Sequence, residues 1–192
     1  ALPLPKTAYT GKTVIVLTDD DSGVSGGQVA LYVSNTVGDL SGGSLYMLRR
    51  KDQNQKETDM TIGTMYDVEF VKIDNQSTLS GKEINALVDV NKAIKFGRVE
   101  DVDYRKGGSG RDVYFTVTGQ DYVSANADKS RTKYGRVYHL NLDAANPLTG
   151  KIEVIMDGDD RTGPAQKFQN PDNITVTTNY VYVQEDPNGY GD

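Results

Sequence analysis

The chain has 192 residues, of which 36% are hydrophobic and 25% are charged, a composition typical of a folded domain rather than of a disordered chain. A net charge of −6 argues against a nucleic-acid partner, and no apolar run approaches the roughly 20 residues of a membrane span. Because the chain has no cysteine and one histidine, disulfides, thiolate sites and His-rich sites are excluded, and any metal would have oxygen ligands.

Short runs rich in β-branched and aromatic residues, separated by Gly-rich or Asp-rich turns, predict strands along most of the chain. The first group comprises residues 12–18, 28–34, 44–49 and 65–73. The second group comprises a strand that follows the acidic loop at Glu100 and ends before the turn at Gly107, and residues 112–117, 135–142 and 151–156. A final pair lies within residues 173–185, on either side of a turn at Thr178-Asn179. We therefore predict an all-β fold.

One helix interrupts the strands. The segment Ser80-Gly81-Lys82-Glu83 matches a capping box, in which the serine accepts from the third residue's amide and the glutamate reaches back. The apolar residues Ile84, Leu87, Val88 and Ile94 then fall near one face. This pattern predicts a short helix at residues 81–93, within an insertion at about residues 80–94.

The strands group naturally in fours. Residues 12–73 and 99–156 form two such units, and residues 173–185 form half of a third. This grouping predicts one domain over residues 1–192, made of about two and a half blades of a larger β-propeller. A β-sandwich is the competing fold. In a partial propeller, unpaired strand edges would have to meet other chains, so other protein chains completing the sheet are an expected partner.

Two of the predicted hairpins resemble each other in sequence. Aligning Val99 with Pro171 places Glu100 on Asp172, and each acid comes just before a predicted innermost strand. Equivalent positions of a radially repeated sheet converge on one axis, where carboxylates could share a cation such as calcium. Each acid could instead cap a local turn.

The order of several motifs resembles that of the bacterial PhoX-type alkaline phosphatase family, over most of this chain and part of the family's length. The motifs begin at Ser80, Phe96, Gly135, Asn146, Gly150 and Phe168. The resemblance implies a secreted, periplasmic or cell-surface β-propeller that hydrolyses phosphate esters by means of a central cluster of calcium and iron ions. The family's cysteine ligand to iron has no counterpart here.

The resemblance also implies which acids would bind metal. Glu100 matches the acid of the family's arginine-proline-glutamate loop, with Val99 in place of the proline, and Asp172 matches the acid of the later proline-aspartate loop. Asp19 and Asp20 match an acidic strand end, although Thr18 replaces a glycine. Glu185 ends the corresponding strand of the third unit, followed by Asp186.

Two functions are therefore expected. The first is a metal-dependent phosphoric ester hydrolase of the alkaline phosphatase type. The second is a non-catalytic, calcium-stabilised extracellular or cell-surface propeller that acts in protein assembly or binding. No catalytic residue is predicted, because the chain has neither a cysteine nor a Gly-x-Ser-x-Gly elbow. The single histidine, His139, lies in an alternating strand and is interpreted as a half-buried sheet residue.

Overall fold

The computed structural model describes residues 1–186 and is predominantly β within them. Its strands are β1 (Leu2–Pro3), β2 (Thr13–Asp19), β3 (Gln28–Ser34), β4 (Ser44–Arg50), β5 (Tyr66–Lys72), β6 (Val99–Tyr104), β7 (Asp112–Val117), β8 (Arg136–Leu142), β9 (Thr149–Asp157), β10 (Pro171–Val176) and β11 (Val181–Glu185). Its helix is α1 (Gly81–Val90), and short 3-10 turns lie at Glu57–Asp59 and Ser124–Asn126. The predicted all-β fold with one helical insertion is confirmed.

Nine strands form one antiparallel sheet in the order β1-β2-β3-β4-β5-β9-β8-β7-β6. The two predicted groups of four strands are thus present as consecutive meanders, β2–β5 and β6–β9. The pairing of β5 with β9 joins them into one sheet. The sheet curves so that β2 contacts β6, and Gly27 and Phe96 exchange backbone hydrogen bonds of 2.8 and 3.1 Å across the gap. The sheet is therefore nearly closed.

The main core lies inside this curve. Each strand of the two meanders contributes inward residues, because alternate side chains of a strand point to opposite faces of the sheet. The fully buried members include Val16, Leu31, Leu48, Val68, Phe115, Tyr138 and Ile152. The ring of Phe96 meets those of Phe115 and Tyr138 edge-on, at centroid distances of 5.4 and 5.3 Å. The loop residue Phe96 therefore packs in the centre of the core.

The helix α1 covers part of the outer face of the first meander. The predicted capping box is present, with Ser80 as N-cap and Glu83 as its partner. The helix ends three residues before the predicted position, because Lys92 adopts a left-handed φ of 56° and Ala93 donates back to the Val88 carbonyl at 2.9 Å. Across the described residues, no helix combines the length and apolarity needed to cross a membrane.

The hairpin β10–β11 forms a separate two-stranded sheet on the outer face of β6 and β7. Ile174 and Val176 pack against Val137 there. The carboxylates of Asp101 and Asp103 accept hydrogen bonds from the amides of Ile174 and Val176, at 3.0 and 2.8 Å. Side chains of the main sheet therefore take the place of a neighbouring strand's carbonyls and hold the hairpin in register.

Neighbouring strands alternate in direction, which places particular strand ends together. The C-terminal ends of β2, β4, β7 and β9 lie at the same end of the sheet as the N-terminal ends of β3, β5, β6 and β8. We call this end the upper rim. The N-terminus of β10 joins it, since Pro171 contacts Thr118 just beyond β7.

Candidate functional site: an acidic rim built by two similar hairpins

The first hairpin, β6–β7, has an irregular start that carries Glu100. Arg98 adopts a left-handed φ of 72°, which is uncommon outside glycine. The register then shifts by one residue between Val99 and Val102, which makes a β-bulge at Glu100 and Asp101. The amide of Thr118 donates to the Arg98 carbonyl at 2.9 Å and closes this loop. Bulges re-aim side chains at sheet edges, and this one directs Glu100 toward the end of β2.

The second hairpin, β10–β11, repeats these features at the aligned positions. Asn170, aligned with Arg98, has a left-handed φ of 48°. A one-residue register shift follows between Pro171 and Asn173, so Asp172 lies in the bulge as Glu100 does. The amide of Asp186 donates to the Asn170 carbonyl at 2.9 Å. The repeat predicted from the sequence is therefore present in the backbone.

Glu100 and Asp20 lie close together and share an arginine partner. The Arg98 guanidinium contacts Asp20 at 2.9 Å and Glu100 at 2.7 Å. Burial raises the pKa of the Glu100 carboxyl, and the negative charge of Asp20 raises it further, whereas Arg98 lowers it. The structure therefore brings together two of the predicted metal ligands, and the Arg98 guanidinium pairs with both of them.

Asp19 lies beside this pair but belongs to the outer face of the sheet. It is directly opposite Gln28 on β3. Burial raises the pKa of the Asp19 carboxyl, with further increases from the charges of Asp21 and Asp20. The Asp19 side chain makes no ion pair or hydrogen bond among the described residues. Asp19 is thus the one predicted ligand in the described part of the chain whose carboxylate has no bound partner.

Asp172 and Glu185 lie farther along the same rim. The Asp172 carboxylate accepts the side-chain amide of Asn173 at 2.7 Å, and Glu185 accepts the backbone amide of Gln169 at 2.8 Å. Thr118 links them to the first hairpin, because its hydroxyl lies against the Glu100 carboxylate and donates to the Pro171 carbonyl at 3.0 Å. The five predicted acids therefore form a row along the upper rim.

Acids arranged in a row do not by themselves form a metal site, because metal ligands must converge on one point. Calcium takes six to eight oxygen ligands from converging groups. Within residues 1–186, no three acidic or histidine side chains converge as a metal site requires. The positive charge at the Asp20–Glu100 pair is already supplied by Arg98, and Asp172 and Glu185 accept protein N–H groups. As arranged in this structure, the rim residues do not form a calcium or iron site.

Beneath the rim lies a buried polar network that the sequence did not reveal. Glu57 is 0% exposed, and its carboxylate accepts from the amides of Gly97 and Thr132, at 2.9 and 3.1 Å, and from the Tyr138 hydroxyl at 2.9 Å. Burial raises the pKa of Glu57 to about 7, although Arg136 and the hydrogen bonds oppose the increase. Glu57 follows a polar stretch with no periodicity, so no sequence signal marks it as buried.

His139 lies away from the rim, on the outer face of β8. Its ring stacks on Tyr114 at 4.6 Å, and its two nitrogens face Glu153 at 2.9 Å and Asp112 at 3.2 Å. The side chain is 13% exposed. These contacts account for His139 as a sheet residue held between strands, as the sequence predicted, and none of them involves the acidic rim.

Comparison with known proteins adds no family to this description: no protein-family model, curated protein or solved structure matches the chain.

Proposed function

We propose that the chain is part of a phosphoester-hydrolysing β-propeller similar to the PhoX-type alkaline phosphatases, with the acidic rim facing the substrate. One observation carries the proposal. The two acids that the family resemblance selects, Glu100 and Asp172, lie in β-bulges at equivalent positions of two similar hairpins. A bulge interrupts the hydrogen bonding between two strands, so pairing of the strands does not explain why it is repeated at an acid. Bulges are frequent beside active sites.

The propeller architecture belongs to this proposal. In it, β2–β5 and β6–β9 correspond to adjacent blades that the pairing of β5 with β9 joins, β10–β11 begins the next, and other sequence or other chains complete the ring. A secreted, periplasmic or cell-surface location follows from the same resemblance.

Calcium, together with iron, would be the cofactor of such an enzyme. Cations neutralise the phosphoryl oxygens in phosphate ester hydrolysis. Glu100 and Asp20 would hold such a cation only without the Arg98 guanidinium that pairs with both of them in this structure. The role of this chain's own residues is to present carboxylates on rigid bulges.

A non-catalytic, calcium-stabilised surface propeller is the second candidate. The observation that favours it is the Arg98 guanidinium, which pairs with both Asp20 and Glu100 within the chain. Carboxylates already paired in this way suit a stable binding surface. The partner would then be another protein chain in an assembly.

The test is the metal content of the purified protein by mass spectrometry, with hydrolysis of a chromogenic phosphate ester before and after chelation. The enzyme proposal predicts bound calcium and turnover that the chelator removes. Glu100→Gln should lose both, whereas Asp67→Asn should keep them, because Asp67 pairs with Lys151 on β9 and is not one of the five acids of the row. Calcium without turnover would favour the surface propeller. A protein with neither would contradict both functions.

A further inference from the structure

A cavity of about 510 Å³ opens on the outer face of the first meander, beside the acidic rim. Its floor is a cross-strand row in which Leu17 pairs with Ala30 and Ala30 pairs with Met47. The N-terminal half of α1 forms one wall with Ile84 and Asn85. One part of the cavity is therefore apolar, because α1 leaves this section of the sheet uncovered.

The opposite part of the cavity is acidic. Asp19, Asp20 and Asp21 line it in succession as the chain leaves β2. Asp20 is paired with Arg98, and Asp21 accepts from the amide of Gly23 at 2.7 Å. Asp19 is left without a partner in the described part of the chain, on the face that bears the apolar floor. The cavity thus joins an unpaired negative charge to an apolar surface.

A buried amide provides an independent indication of a ligand. Gln28 is 5% exposed, lines the cavity and lies directly opposite Asp19. Its Nε2 donates to carbonyls on the other side, among them those of Gly27 at 2.9 Å and Ile94 at 3.1 Å. These contacts fix the orientation of the amide and leave Oε1 buried without a hydrogen-bond partner. A buried acceptor left unpaired costs free energy that an N–H donor would recover.

We propose that this cavity binds a primary ammonium group carried on an apolar chain. The ammonium would pair with Asp19 and donate to Gln28 Oε1, and the chain would lie on Leu17, Ala30 and Met47. An ammonium has three N–H donors and no acceptor, which suits a site whose polar groups near Asp19 are acceptors. The shared chemistry fits both a free alkylamine and a lysine side chain. The proposal does not depend on phosphoester hydrolysis or on a metal.

The test is a titration of the ¹⁵N-labelled protein with n-hexylammonium, followed by amide chemical shifts in the presence of a chelator. Saturable shifts at residues 17–21 and 28–30 are expected. Hexyltrimethylammonium keeps the charge and the chain but has no N–H donor, so it should bind at least about fivefold more weakly. The third probe is lysine amide acetylated on its α-amino group, which keeps the side-chain ammonium. Tighter binding of hexylammonium would indicate a free alkylamine as the ligand, and tighter binding of the lysine probe would indicate a lysine side chain.

Two variants test the two parts of the cavity. Asp19→Asn should weaken hexylammonium binding by about tenfold through loss of the charged acceptor. Ala30→Leu should also weaken it, because the larger side chain fills the floor. Asp67→Asn removes a carboxylate that does not line the cavity and should leave the affinity unchanged. The absence of saturable binding, equal affinity for the trimethylated probe, or an affinity unchanged in both cavity variants would overturn the proposal.

Discussion

In each of the two similar hairpins, the backbone amide at one aligned position donates to a glutamate, but one glutamate is buried and the other is exposed. In the first, the amide of Gly97 donates to Glu57, which is fully buried. In the second, the aligned amide of Gln169 donates to Glu185, which is exposed. The donor position is shared, but the first acceptor comes from outside its hairpin and is buried, so its loss should cost folding free energy, whereas loss of the exposed second acceptor should cost little. The aligned amides thus have acceptors of different energetic value.

The largest difference is expected from removing the buried carboxylate. Glu57→Ala leaves the amides of Gly97 and Thr132 and the hydroxyl of Tyr138 without an acceptor, and should lower the free energy of unfolding by about 3–5 kcal/mol. Denaturant unfolding followed by circular dichroism measures this change. A loss below about 1 kcal/mol would show that water or another group replaces the carboxylate.

The pH dependence of stability is the next largest effect. Glu57 has a raised pKa of about 7 in the folded protein against a reference value of 4.5, so the folded state binds more protons between these values. The contribution of Glu57 to stability is therefore full below about pH 4.5 and is lost as the pH rises to about 7.

Glu57→Gln isolates this contribution, since the amide can still accept from Gly97 and Thr132 but does not titrate. The difference in unfolding free energy between the natural protein and the variant should fall by a few kcal/mol between pH 4.5 and 7. Parallel denaturant titrations at several pH values measure it. A difference that does not change with pH would mean that Glu57 remains ionised throughout.

Exchanging a loop residue between the copies has a smaller effect. Arg98→Asn gives the first hairpin the residue that the second has at Asn170, and asparagine tolerates a left-handed φ. We expect a loss of about 1 kcal/mol or less, because the ion pairs are partly exposed. The pKa of Glu100 should rise further, since Asp20 is then unopposed. An NMR titration of the carboxyl carbon checks this, and an unchanged pKa would show that Arg98 does not govern Glu100.

The smallest effect is expected at the exposed carboxylate. Glu185→Ala removes the acceptor of the Gln169 amide, which water can replace, so the unfolding free energy should change by no more than about 0.5 kcal/mol. The same denaturant measurement applies. A loss as large as that of Glu57→Ala would remove the distinction between the two copies.

Local signals predicted much of this fold. The strands follow runs of β-branched residues between glycine-rich turns, and the helix follows the capping box at Ser80. The alignment of Val99 with Pro171 predicted the repeated hairpins. The pairing of β5 with β9 could not be predicted, because strands so distant in sequence carry no local mark of their partner.

The candidate site was less predictable from sequence. The sequence places acids at strand ends, but the pairing of Arg98 with both Asp20 and Glu100 depends on how β2 meets β6. Glu57 and Gln28 are polar residues whose burial arises from tertiary packing alone. Sequence patterns therefore predicted the acids of the rim but not the pairing of Arg98 with two of them.

The central proposal is that the bulge acids Glu100 and Asp172 bind a cation together, which requires a rearrangement of the rim because they do not converge on one site as arranged. A double-mutant cycle of Glu100→Gln and Asp172→Asn, read out as the calcium-induced increase in melting temperature, tests it most directly. We predict that calcium stabilises the natural protein, that each single variant loses this stabilisation, and that the double variant loses no more. No calcium effect on the natural protein, or independent additive losses from the two variants, would contradict the claim.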